Sequence, residues 1–375
     1  MPIPRSRRRF LGRAATALGA LALARRAARA EDAPSAQAMA RKAVEFLRAR
    51  QEADGGWSTA RKEPGITALV VTAMLRSKQV TPSDPAVTKG LAYLERFLGR
   101  DGGLSEAAHA NYSTSIALMA FHEANANGRY DHLIKSGQDF LRGKQWDEAE
   151  GKDRSSDFYG GAGYGGSNSR PDLSNTAFLM EALRETGLPA DDPALQKALI
   201  FVSRCQNLKG EFNDQAWAGK VNDGGFVYTA ANGGQSMAGK EEDGGLRSYA
   251  GMTYAGLKSM IHAGLTPADP RVKAALDYIR RHYALDENPG LGQQGLYYYY
   301  QTFAKALSLL GQPTLVDESG KAHDWRADLV AALAKRQNAN GSWVNTQDRF
   351  MEGDPNLVTA YALMALAYSR PGAGK

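Results

Sequence analysis

The chain has 375 residues, 46 basic and 40 acidic side chains, a formal net charge of +6 and a single cysteine. One thiol excludes an internal disulfide and a multi-cysteine zinc site. Eight arginines (5, 7, 8, 9, 13, 25, 26 and 29) fall in the first 30 residues with no acid beside them; subtracting these from 46 leaves 38 basic against 40 acidic residues. The basicity is therefore local, and the body gives no electrostatic reason to bind nucleic acid.

In chain order, the leader comes first. Twin arginines in "SRRRFLG" (Ser6 to Gly12) precede an apolar run from Ala14 to Ala24 and a small-x-small site at Ala28-Arg29-Ala30. The run is too short to span a bilayer. Residues 1–30 read as a twin-arginine signal peptide cleaved near Ala30, so the mature protein is expected to be exported and periplasmic, with the twin-arginine translocase as a partner during export. Residues 31–375 then form one domain.

Two kinds of helix alternate through that domain. Segments such as 40–51 and 324–337 are amphipathic, and Asp84-Pro85, Asp192-Pro193 and Asp269-Pro270 are start signals, an aspartate cap followed by proline at the first helical position. Segments 67–75, 113–121, 174–183, 249–261, 297–310 and 356–368 are apolar or small almost all round, which predicts burial on most sides. None reaches the ~18 apolar residues of a membrane span. About six alternations at intervals near 50 residues predict an all-α array of helical hairpins, and closure into a ring would bury the inner helices best.

Asp-Gly-Gly turns recur at Asp54, Asp101, Asp223 and Asp243, loosened at Asn340. Gly55 and Gly56 are expected to adopt positive φ and end the helix in a left-handed cap. Leu47-x3-Gln51-x3-Gly55-x-Trp57 and Leu333-x3-Gln337-x3-Gly341-x-Trp343 share one spacing, with Gln145 and Gln206 at the equivalent place in other copies. An amide there can bond free carbonyls or the adjacent hairpin. "GAGYGG" (161–166) satisfies G-x-G-x-x-G, but no strand precedes it, so it reads as a turn.

The Gln-x3-Gly-x-Trp phrase resembles the QW repeat of squalene–hopene cyclases. The array is similar to the α/α toroid, a six-hairpin α6/α6 barrel, that those enzymes share with protein prenyltransferase β-subunits. The resemblance covers residues 37–370 and includes an exported single-toroid branch known by its prenyltransferase/squalene oxidase repeats. It implies a hydrophobic isoprenoid-type ligand in a central cavity and, for an enzyme, terpene cyclase (isomerase) or prenyltransferase chemistry. The cyclase acid motif Asp-x-Asp-Asp-Thr-Ala is matched by Asp172-Leu173-Ser174-Asn175-Thr176-Ala177, with Ser174 where the proton donor stands. A hydroxyl cannot protonate an alkene, so Asp172 or Asp354 would have to be the acid. Asp172 equally suits a helix cap. The prenyltransferase zinc set, Asp-x-Cys with a later His, is not intact: Cys205 lies in "SRCQN" and segment 356–368 has no His. No metal and no cofactor is expected.

The first turns of the inner helices should share one mouth of a closed ring. Asn111, Tyr112, Asn175, Tyr249, Tyr254, Tyr298, Tyr299, Gln301 and Asn356 are the candidate ligand-binding residues there. The same Tyr, Asn and Asp chemistry suits a carbohydrate-active α/α barrel, a lyase or glycosidase. A non-catalytic binding or assembly module is the third reading.

Overall fold

The computed structural model describes residues 35–58, 64–104, 109–165 and 169–372; the leader lies outside the described residues. Twelve helices of ten residues or more carry the fold: α1 (Ala36–Arg50), α2 (Pro64–Arg76), α3 (Pro85–Glu95), α4 (Ala110–Glu123), α5 (Asp131–Arg142), α6 (Leu173–Glu185), α7 (Pro193–Arg204), α8 (Ala250–His262), α9 (Pro270–Arg281), α10 (Leu296–Leu310), α11 (Trp325–Ala334) and α12 (Pro355–Tyr368). The strands among the described residues form a two-residue hairpin, Leu315–Val316 against Ala322–His323. The chain is all-α, as its patterning predicts.

The even-numbered helices are inner. Every residue of α2 and every residue of α12 after Pro355 is buried, whereas α5 buries Ile134, Gly137, Gln138, Phe140 and Leu141 and leaves its charged face in water. Each inner helix packs on the next: α2 on α4, then α6, α8, α10 and α12, and α12 returns to α2. Outer helices cover the seams, α1 lying on α12 and α7 bridging α6 and α8. This cyclic packing order is the one a six-hairpin ring requires.

Local chemistry fixes the outer layer. Asp84, Asp192 and Asp269 each accept from the backbone N–H two residues on, at 2.9 to 3.0 Å, with proline following the cap. Each cap contributes about 1 kcal/mol. The glutamines act as bolts. Gln51 Nε2 donates to Gly55 O and to Ala86 O; Gln145 to Gly160 O and Ala194 O; Gln206 to Gly224 O and Arg271 O; Gln337 to Gly341 O and Met39 O. Each amide therefore ties its own turn to the first turn of the next outer helix. The tryptophans close the same joints, Trp57 Nε1 donating to Leu47 O at 2.7 Å and Trp343 Nε1 to Leu333 O at 2.9 Å.

The glycines differ from expectation. Helix α1 ends at Arg50 with an extended Gln51, so Gly55 is not its left-handed cap. Gly55 does take φ +94°, but its role is close approach: a Cβ there would lie 2.6 Å from Lys89 O of α3. Gly341, at φ +89°, meets Lys42 O of α1 at 2.3 Å in the same sense. The turn needs glycine because the next outer helix lies against its backbone.

Candidate functional site

Because each inner helix is followed by an outer one running back, all six inner helices point the same way. Their first turns surround one mouth and their last turns the opposite end.

Asp172 sits at the mouth, 2% exposed, as the cap of α6. Its Oδ1 accepts from Asn175 N at 2.9 Å and its Oδ2 from Asn175 Nδ2 at 2.7 Å. Burial raises its pKa from 3.8 to about 6, against the opposing pull of hydrogen bonds from Asn175 and Tyr228 and of the Arg170 charge. Desolvation penalises the carboxylate more than these partners stabilise it. Asp172 is thus a helix cap whose carboxyl is also held above its ordinary pKa. Four phenols lie within its field. Burial raises Tyr164, Tyr228, Tyr249 and Tyr298, and the Asp172 charge adds to each.

Asp354 caps α12 through Asn356 N at 2.8 Å and Leu357 N at 3.3 Å and receives Ser58 Oγ at 2.7 Å. It borders a shallow cavity of about 330 Å³ with Arg50, Glu52, Ser58 and Asp348. Asn111 is buried and donates to Gly163 O at 2.7 Å, which places residues 161–165 of the glycine-rich turn beside the first turn of α4. Asn356 donates to Ser58 Oγ at 3.0 Å. The side-chain oxygens of Asn111, Asn175 and Asn356 have no hydrogen-bond partner among the described residues, and neither end of Gln301 has one. A buried amide left so is costly without water or a ligand.

Below the mouth, aromatic side chains cross the ring. Tyr112 of α4 reaches Tyr361 of α12, hydroxyl to hydroxyl, at 3.0 Å. Tyr298 of α10 reaches Ser174 Oγ of α6 at 3.0 Å. Neither pair belongs to neighbouring inner helices, so these contacts span the lumen. Phe178 joins them, edge-on to Tyr112 at 5.0 Å and 6.3 Å from Tyr298.

The four consecutive tyrosines separate by helix geometry, since successive residues turn by about 100°. Tyr298 faces the lumen. Tyr299 donates to Ala284 O at 2.6 Å and packs with Tyr254 and Phe303, between the inner and outer layers. Tyr300 donates to Leu285 O. Tyr254 and Tyr299 are thus packing residues rather than mouth residues. Tyr249 is buried at the start of α8, close enough to Tyr298 and Asp172 to feel both.

Sequence reasoning missed two features. Glu352, fully buried, accepts from Tyr297 N, Tyr298 N and Asn345 Nδ2 and so caps α10 with a carboxylate; burial raises its pKa. At the far end an ionic plug fills the lumen. Lys258 pairs with Glu181, both sealed from solvent, while Arg76 and Lys305 pair with Glu185 and lie 3.8 Å from Glu181. Arg76 also bonds Glu123 at 2.9 Å and the Tyr368 hydroxyl. Tyr368 of α12 donates to Glu181 of α6 at 3.4 Å, a contact between helices on opposite sides of the ring. Burial opposes ionisation of Glu185, but Arg76 and Lys305 overcome it and hold its pKa well below normal. Lys258 lies 5.2 Å from the Phe178 ring, so plug and aromatic bridge are continuous. The signal in the sequence was a lone Lys or Arg in an otherwise apolar helix, at Arg76, Lys258 and Lys305, with two glutamates, Glu181 and Glu185, one turn apart near the end of α6.

No group of three metal-ligating side chains gathers among the described residues, and no helix there is long and apolar enough to cross a membrane. No family model and no curated protein matches the chain. Among solved structures it is similar to the crystal structure of a protein from Actinoplanes, at 17% identity, covering 89% of this chain and 99% of that one with a TM-score of 0.50. At this identity the likeness is one of fold alone.

Proposed function

We propose that the chain is an exported ligand-binding ring whose mouth, rather than a deep central chamber, receives a compact isoprenoid-type molecule. The apolar body of the ligand rests on the rings of Tyr112, Phe178, Tyr298 and Tyr361. Its hydroxyl or carbonyl end bonds to Asp172, Asn175 and Asn111. The observation that carries this reading is the junction of a buried carboxyl held near neutrality with an aromatic bridge and unpartnered amide oxygens. Asp172, protonated below about pH 6, donates a hydrogen bond to an oxygen acceptor and is the acid for any protonation step. Ser174 is hydrogen-bonded to Tyr298 and supplies no acid, which favours binding over cyclisation of a long chain. The leader and its translocase belong to the same proposal.

Native mass spectrometry with lipid extraction of protein purified from its own periplasm tests it. Wild type should release a bound isoprenoid, and Tyr298→Ala and Asp172→Ala should lose it. Empty wild type, or equal retention by both variants, would sink the reading.

The unpartnered oxygens of Asn111, Asn175 and Asn356, together with Gln301, favour a second reading: a polyhydroxylated ligand bound by a carbohydrate-active barrel. Thermal stabilisation by oligosaccharides, absent with isoprenoid alcohols, would select it.

A further inference from the structure

The last turns of the inner helices enclose a bowl of about 510 Å³, at the end opposite Asp172. Arg76 and Lys305 form its floor, and Lys78, Arg184 and Arg370 stand around it. These five cations face two lining carboxylates, Glu123 and Glu185. Behind the floor Lys258 and Glu181 cancel each other. The floor cations are engaged by acids, but the surrounding ones keep donors to spare. Among the described residues Arg184 donates one side-chain bond, to Leu188 O at 2.7 Å. Lys78 is 67% exposed and stands 3.7 Å from Glu123. Arg370 donates to Ala367 O, Ser77 O and Arg76 O, three contacts from a group with five N–H donors.

Helix ends supply a competing explanation, because C-terminal carbonyls attract cations. They account for three donors of Arg370, which bond terminal carbonyls of α12 (Ala367) and α2 (Arg76 and, just beyond it, Ser77), but not for Lys78, which stands beside Glu123, or for the remaining donors of Arg184 and Arg370. A second observation points into the bowl independently. His262 lines it, is 6% exposed, and its Nε2 has no hydrogen-bond partner among the described residues. Burial and the nearby Lys305 charge keep this imidazole neutral, lowering its pKa to about 3, so the ring has one N–H to offer.

We propose that the bowl is a binding site for a small, multiply charged oxyanion of the phosphate type, held by Arg184, Lys78 and Arg370 and by a hydrogen bond from His262. The site is separate from the mouth and does not depend on what the mouth binds. A free phosphate and a phosphorylated lipid headgroup share this chemistry.

Calorimetric titration of the whole mature protein with inorganic phosphate and with diphosphate, at low ionic strength, tests the site. Saturable binding with a Kd of about 1 mM or tighter is expected. Lys78→Gln with Arg184→Gln should weaken it roughly tenfold. His262→Gln should weaken it too, and Lys240→Gln, an exposed charge elsewhere, should not. The His262 ring signals should shift on phosphate addition. In parallel, phosphatidylcholine vesicles with and without phosphatidic acid assign the source: selective co-sedimentation with phosphatidic acid, competed by phosphate, identifies a headgroup, and phosphate binding alone identifies a free anion. Absence of saturable binding by either anion and by vesicles overturns the proposal, as does equal binding by the Lys78/Arg184 double variant.

Discussion

Gln337 Nε2 donates to Met39 O at 3.0 Å, joining residues 298 positions apart. The same bond in Gln51, Gln145 and Gln206 joins sequential neighbours. At Gln337 it joins the last outer helix to the first and locks the seam of the ring. Gln337→Leu should cost about 1–2 kcal/mol, by loss of two bonds and the stranding of two carbonyls. Gly341→Ala should cost more, because its Cβ would meet Lys42 O at 2.3 Å and the residue is held at positive φ. Urea unfolding of both variants measures this, and a Gly341→Ala variant as stable as wild type would contradict the close approach.

Asp172 makes stability depend on pH. Its pKa is higher in the folded protein, about 6 against 3.8, so the folded state holds the proton more tightly than the unfolded chain. The associated stability is therefore complete below pH 3.8 and is lost as pH rises through about 6. The loss at neutral pH is about 3 kcal/mol. Asp172→Asn cannot ionise, still caps α6, and, once the Asn175 amide flips to turn its unpartnered Oδ1 inward, donates its amide N–H to that oxygen. It should gain on wild type as the pH is raised from about 4 to 8. Denaturation midpoints that run parallel for the two proteins across that range would rule this out.

The ionic plug should be costly to break and cheap to replace. Glu181→Gln leaves Lys258 buried beside a neutral amide, for a loss of roughly 3–5 kcal/mol. Glu181→Leu combined with Lys258→Met removes both charges of that pair and should recover most of the loss. Thermal unfolding of the single and double variants measures the coupling; additive losses would mean that the two charges act separately.

Tyr298 and Tyr299, adjacent in sequence, should behave differently. Tyr299→Phe strands Ala284 O in the layer between inner and outer helices and should cost about 1–2 kcal/mol without altering ligand retention. Tyr298→Phe loses a hydroxyl that faces the lumen and should alter retention with a smaller effect on stability. Paired unfolding and extraction measurements separate the two roles.

The architecture was legible because its signals are local. An aspartate before proline, a glutamine four residues before glycine and a tryptophan two beyond it each make their bond within one joint. The site was harder to read because it depends on where a helix face points after closure. Residues 297–300 offer four tyrosines in a row, and only the three-dimensional turn of α10 separates Tyr298 from Tyr299. Likewise Arg76, Glu181, Lys258 and Lys305 are 47 or more positions apart from one neighbour to the next in sequence, so their pairing appears only when the inner helices are brought together. In sequence Asp172 reads equally as a cap or as an acid; the cap bond to Asn175 N and the burial that raises its pKa appear only in the folded chain.

The parallel run of the inner helices also divides the loops unequally. Segments that enter the ring at the mouth include 143–172 and 205–249, whereas those that leave it at the bowl, such as 77–84, 186–192 and 263–269, are short. Insertions at the first end can lengthen the stretch between glutamine and glycine and keep the joint's bond, as the 15 positions from Gln145 to Gly160 and the 18 from Gln206 to Gly224 do beside the four from Gln51 to Gly55. Insertions at the second would pry apart helix ends held by buried charge. Room for added chain in such a ring is therefore one-sided, greater around the mouth than around the bowl.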